Sequence, residues 1–104
     1  MINLTPHAIV LRRENGTEVT FPPSGKLARV ASSEVTVGEY EGIPIVTRKF
    51  GEPEGLPEEG ELCLVSALVL GTVPGRKGVY APDSGPSAIR ENGQIVAVTR
   101  LVAA

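Results

Sequence analysis

Ala8-Ile9-Val10-Leu11-Arg12 and Thr17-Glu18-Val19-Thr20-Phe21 flank the tetrapeptide Arg13-Glu14-Asn15-Gly16. The second segment alternates polar and apolar residues, the period of a half-buried strand. Asn-Gly suits the positive φ angles of a tight turn, so residues 8–21 are predicted to form a β-hairpin. The same four residues return at Arg90-Glu91-Asn92-Gly93, between residues 87–90 and 94–101. A second hairpin is predicted there. The flanks of the two tetrapeptides do not align, so turn chemistry explains the match and an internal repeat does not.

The remaining chain continues in the same style. Pro22-Pro23-Ser24-Gly25 reads as a rigid turn. Residues 27–37 read as a strand bent at Ser32-Ser33. Residues 42–50 read as an edge strand, or one beginning at Pro44, because proline cannot donate to a ladder. Residues 51–61 form an acidic Pro/Gly-rich loop with Leu56 plugging it onto the core. The most apolar stretch is Leu62-Cys63-Leu64-Val65-Ser66-Ala67-Leu68-Val69-Leu70-Gly71-Thr72-Val73. It divides into a buried strand, 62–65, and a short helix, 66–73, with Ser66 as N-cap and Pro74-Gly75 as the stop. Residues 79–81 form a further short strand, and residues 82–87 a tight loop. About seven strands follow one another through turn-like connections. The predicted fold is therefore mainly β (α+β): a small curled antiparallel sheet or a partly open barrel, with one short helix.

At 104 residues, with 41% apolar content, the chain is one domain with a modest core. Only Phe21, Tyr40, Phe50 and Tyr80 are aromatic, so that core is aliphatic. Cys63 is the single cysteine and reads as a small buried hydrophobe, consistent with a reducing compartment. No apolar run reaches the ~18 residues of a membrane span, and no signal peptide is expected at residues 1–7. The expected location is cytoplasmic. A net charge of −2 argues against broad electrostatic binding of nucleic acid. Few Asn, Gln, Cys and Met residues and many loop prolines give a thermophile-like composition.

The candidate chemistry is sparse. Asp83, the sole aspartate, lies with Ser84, Gly85 and Ser87 in the 82–87 loop. Successive backbone N–H groups and the hydroxyls there would cradle a small anion. An Asx turn, with Asp83 bonding the backbone two residues on, is the plainer reading. Arg76, Lys77 and Arg90 flank that loop in sequence and, if they converge, suit a phosphate or carboxylate. His7, the only histidine, would join them, or simply bond backbone at a strand start. No catalytic residue, metal site or cofactor is assigned. One Cys and one His cannot fill a structural zinc site, and no phosphate loop or dinucleotide fingerprint is present. Glu52, Glu54, Glu58, Glu59 and Glu61 read as a solvated loop rather than a cation site.

Taken in order, four blocks resemble a known family. They are Ile2-Asn3-Leu4-Thr5-Pro6-His7, Pro22-Pro23-Ser24-Gly25 with Ala28-Arg29-Val30, Val65-Ser66-Ala67-Leu68-Val69, and Pro82-Asp83-Ser84-Gly85-Pro86. The arrangement is similar to short, uncharacterised proteins of bacteria, often actinobacteria, and of their phages. The resemblance spans almost the whole chain. It implies no activity, cofactor or partner, and a phage setting favours a small binder or modulator over a metabolic enzyme.

Three functions follow as expectations. The first is a binding module holding a small anionic or nucleotide-like ligand at residues 82–87. The second is a structural or protein-interaction subunit that pairs with a copy of itself. The third, and weakest, is a serine-type hydrolase using Ser66 or Ser84 with His7.

Overall fold

The computed structural model describes residues 1–104. Ten strands and one short helix follow in order: β1 (Ile2–Asn3), β2 (Ile9–Arg12), β3 (Glu18–Phe21), β4 (Arg29–Tyr40), β5 (Ile43–Glu54), β6 (Cys63–Leu64), α1 (Ala67–Gly71), β7 (Val79–Pro82), β8 (Ile89–Glu91), β9 (Gln94–Ala97) and β10 (Leu101–Ala103). The fold is mainly β with one short helix, as predicted, and no barrel closes.

Both predicted hairpins form: β2 pairs antiparallel with β3, and β8 with β9. Their identical tetrapeptides adopt different turns. Asn92 and Gly93 both take positive φ, 52° and 79°, and close a two-residue turn. In the first hairpin only Gly16 does, at 87°. There the strands end further apart, at Arg12 and Glu18, and Asn15 Oδ1 instead accepts from the Thr17 amide at 3.0 Å. The longer loop removes the need for a left-handed asparagine.

The centre is a four-stranded sheet in the order β1-β6-β7-β10. Here the antiparallel expectation holds only for β7 with β10. β1 pairs parallel with β6, and β6 parallel with β7. The unbroken apolar run at Cys63, Leu64 and Val65 is the pattern of a strand covered on both faces. All three residues are fully buried. Leu4, Cys63, Val65, Val69 and Val79 form one core cluster, onto which Leu56 packs as predicted. Ile9, Leu64 and Val98 form a second.

α1 is shorter than the predicted 66–73 segment. Ser66 is the N-cap, its hydroxyl accepting from the Val69 amide at 3.3 Å. Thr72 ends the helix, its hydroxyl donating to the Val69 carbonyl at 2.7 Å. That local bond competes with continuation of the helix into Thr72-Val73.

The largest departure lies at residues 29–54. The predicted strands 27–37 and 42–50, and the first part of the predicted acidic loop, are one long hairpin of two 12-residue strands. Glu41 and Gly42, both at positive φ, form its turn. The strand runs on through Ser32-Ser33, with one register shift beside the expected bend, between Val30 and Ser32, and a second between Thr36 and Gly38. Pro44 and Pro53 fit because a two-stranded ribbon has two free outer edges, where a missing N–H leaves nothing unpaired. The hairpin draws the molecule out to 52 × 37 × 24 Å, with a radius of gyration of 16.4 Å. A compact chain of this length has about 13 Å.

Candidate functional site

The 82–87 loop is built around Asp83. Its Oδ1 accepts from the Gly85 amide at 3.0 Å, the predicted Asx turn. Its Oδ2 accepts from the Ser87 hydroxyl at 3.3 Å and from Arg100 Nη2 at 2.7 Å and Nε at 3.1 Å. The Gly85 amide and the Arg100 guanidinium hold the Asp83 carboxyl below its ordinary range, against a smaller opposing effect of burial. Arg90 donates to the Ser84 carbonyl at 2.8 Å and to the Gly85 carbonyl at 3.3 Å. Asp83, Ser84, Gly85, Ser87 and Arg90 thus come together. Arg100, 17 residues from Asp83, completes the cluster and was not among the predicted site residues; nothing local in the sequence signals it.

The other predicted residues lie elsewhere. Arg76 donates to the Pro57 carbonyl, and its Nε is buried without a hydrogen-bond partner. The Lys77 carbonyl accepts from the Gly60 amide at 3.1 Å. Both residues therefore brace the 57–61 loop and make no bond to the Asp83 cluster. His7 acts through its backbone: its carbonyl accepts from Asn3 Nδ2 at 2.8 Å, and its ring is exposed. Ser66 caps α1 and makes no bond to His7. Cys63 is buried, and burial raises its thiol pKa, with Arg76 lowering it and Glu61 raising it by smaller amounts. No three His, Cys, Asp or Glu side chains gather where a metal ion could sit, and no helix is long and apolar enough to cross a membrane.

The lowered Asp83 pKa carries a consequence for stability. A carboxyl whose folded pKa lies below the unfolded value, about 3.9, stabilises the fold fully above that pH and loses the effect as the pH falls through the folded value. Asp83→Asn keeps an acceptor for Gly85 and removes the charge facing Arg100. The variant is expected to be less stable than the native chain at pH 7. In urea titrations the gap should close below about pH 4. A gap of the same size at pH 3 would contradict this assignment.

Two surfaces were not anticipated. The first is the β4–β5 arm. Partners across its ladder share a face, and faces alternate along each strand. One face therefore carries Tyr40 beside Ile43, Ile45 opposite Gly38, and Val35 beside Thr47. The other carries the Glu34–Arg48 ion pair at 3.0 Å, Ser32 beside Phe50, and Thr36 beside Val46. On the apolar face Val35 is 44% exposed, Ile45 47%, Ile43 63% and Tyr40 65%. Val37, at the register shift, is also exposed.

The second is a cleft of about 150 Å³ lined by residues 8–10 and 95–98 together with Pro82 and Ser84. It exists because β2 and the chain after β9 meet in parallel only at Leu11 and Val98. Apolar side chains of both segments line it. Compared with known proteins, the chain matches no family model, no curated protein and no solved structure.

Proposed function

We propose that the protein is a non-enzymatic, self-assembling interaction subunit whose working part is the β4–β5 arm. The observation that carries this reading is the arm's apolar face, from Val35 to Ile45, left open to solvent. An isolated two-stranded ribbon is marginal in water. Contiguous exposed apolar patches on soluble domains mark interaction sites. Of the arm's apolar residues, only Val30, at its root, packs onto the core. The rest pack onto neither core cluster.

The anion-cradle reading of residues 82–87 is less well supported. It needs free donors, and the Gly85 amide and Ser87 hydroxyl are already engaged by Asp83. Arg76 and Lys77 brace another loop. The ordered blocks shared with short bacterial and phage proteins favour a binder over a metabolic enzyme, and the lone buried Cys63 suits the cytoplasm.

Sedimentation equilibrium tests the reading. The native chain is expected to run as two or more copies at micromolar concentration. Val35→Glu combined with Ile45→Glu should weaken association by at least about 100-fold, since each change replaces a burial that contributes ~1.5–3 kcal/mol. A native monomer at every accessible concentration would refute it.

A further inference from the structure

We infer that the occupant of the arm's apolar face is a second copy of this chain, and that Tyr40 of one copy seats in the cleft between residues 8–10 and 95–98 of its neighbour. The inference rests on the proposed self-assembly and adds the contact that makes it specific.

Size is the first argument. A cleft of about 150 Å³ is the volume that, lined by aliphatic side chains, accepts a benzene ring. Tyr40 is the most exposed large apolar side chain of the molecule, at 65%, and stands next to the arm's turn. Its ring fills such a space, and Ser84, the polar residue of the lining, offers a partner for the phenol hydroxyl.

Charge is the second argument. Glu39 and Glu41 flank Tyr40. No bonded partner engages either carboxylate. Beside the cleft, Arg90 donates to the carbonyl of the lining residue Ser84, while Arg100 is already paired with the Asp83 carboxylate. Arg90 bonds only carbonyl oxygens and has no carboxylate partner. An acidic tip therefore meets one uncompensated cation, Arg90, a complementarity that helps set register between partners.

Area is the third argument. A 12-residue strand is about 40 Å long, and one face of a two-stranded ribbon, about 10 Å wide, offers about 400 Å². An arm laid on a neighbour, and that neighbour's arm laid back, cover about 800 Å² per partner, the size of a stable specific interface. The arm is rooted on the cluster around Leu4 and Val65, while the cleft belongs to the one around Ile9 and Val98. The two surfaces are thus separate parts of one chain and can be used together, closing a pair or a ring.

The test mixes two differently tagged chains, one carrying Tyr40→Cys and the other Ser84→Cys, under mild oxidation. A disulfide between the two tags is expected, with little in either chain alone or in the native protein, whose Cys63 is buried. In the same protein Tyr40→Ala should raise the dissociation constant at least about tenfold, as loss of a buried tyrosine anchor does. Glu41→Arg and Arg90→Glu should each weaken association, and the two together should restore it. An assembled native protein that gives no mixed disulfide and ignores Tyr40→Ala overturns the arm-in-cleft contact and leaves self-assembly standing. A monomeric native protein overturns both.

Discussion

Asn3→Ala is expected to remove about 4 kcal/mol of stability, a large share of the roughly 5–15 kcal/mol a small domain has in all. Asn3 is 2% exposed, and its side-chain amide is bonded on both sides. Nδ2 donates to the His7 carbonyl at 2.8 Å and to the Phe21 carbonyl at 2.9 Å. Oδ1 accepts from the Thr5 amide at 3.0 Å and lies 2.7 Å from the Thr5 hydroxyl. The Asn3 carbonyl accepts from the Ser24 hydroxyl at 2.7 Å and the Ser24 amide at 3.1 Å. One residue thus joins β1, the turn before β2, the end of β3 and the turn at Ser24. Alanine would take from the buried Thr5 amide and the Phe21 carbonyl their bonds to Asn3, each costing about 1–3 kcal/mol, while the His7 carbonyl would keep the Thr5 hydroxyl at 3.0 Å. Equilibrium urea unfolding checks it. A midpoint unchanged from native would show that water replaces the amide, and the network would then contribute little. His7→Ala should be nearly silent, because the residue contributes its carbonyl and not its ring.

The Asn3 network also explains what the sequence could and could not reveal. The four ordered blocks at 2–7, 22–30, 65–69 and 82–86 turn out to be structural joints. Asn3 in the first bonds Ser24 in the second, Ser66 in the third caps α1, and Asp83 in the fourth is tied by Gly85 and Arg100. Local chemistry made three features readable: the Asn-Gly turns, the Ser66 cap and a buried run, which holds at 63–65 but not at Leu62, 50% exposed. Each depends on residues within a few positions of one another. Strand partnership does not. Two-residue strands such as Ile2–Asn3 are too short for alternation to appear, and their parallel pairing with Cys63–Leu64 is decided by packing across 60 residues. The arm's two strands were readable, but their exposure was not, for a different reason. Val35, Ile43 and Ile45 carry the alternation of a core-facing strand, and hydrophobic pattern cannot tell a face covered by its own chain from one covered by another. The Asp83 loop was legible as a turn. Its completion by Arg100 was not, because an ion pair spanning 17 residues leaves no local mark.

Gly78→Ala is the second large effect, about 3 kcal/mol from two separate penalties. Gly78 is buried, with φ +84°, where an L side chain is strained by about 1–2 kcal/mol. A Cβ there would also stand 2.6 Å from the Glu61 carbonyl oxygen and 3.0 Å from the Glu61 and Gly60 carbonyl carbons. Those are backbone atoms and cannot rotate aside. The contact matters because the Gly78 carbonyl accepts from the Cys63 amide at 2.9 Å, the bond that sets the register of β6 against β7 at the centre of the sheet. Pushing the two segments apart would lengthen that bond and open the packing around Cys63 and Val79. Gly16→Ala separates the two penalties: φ is +87° there, and a Cβ meets nothing within 4 Å, so only the backbone strain applies. Thermal unfolding of both variants is the measurement. The loss at Gly78 should exceed that at Gly16 by about 1–3 kcal/mol, the typical cost of overpacking. Equal losses would mean that the Gly60-Glu61 segment moves away freely and that the parallel centre of the sheet is held elsewhere.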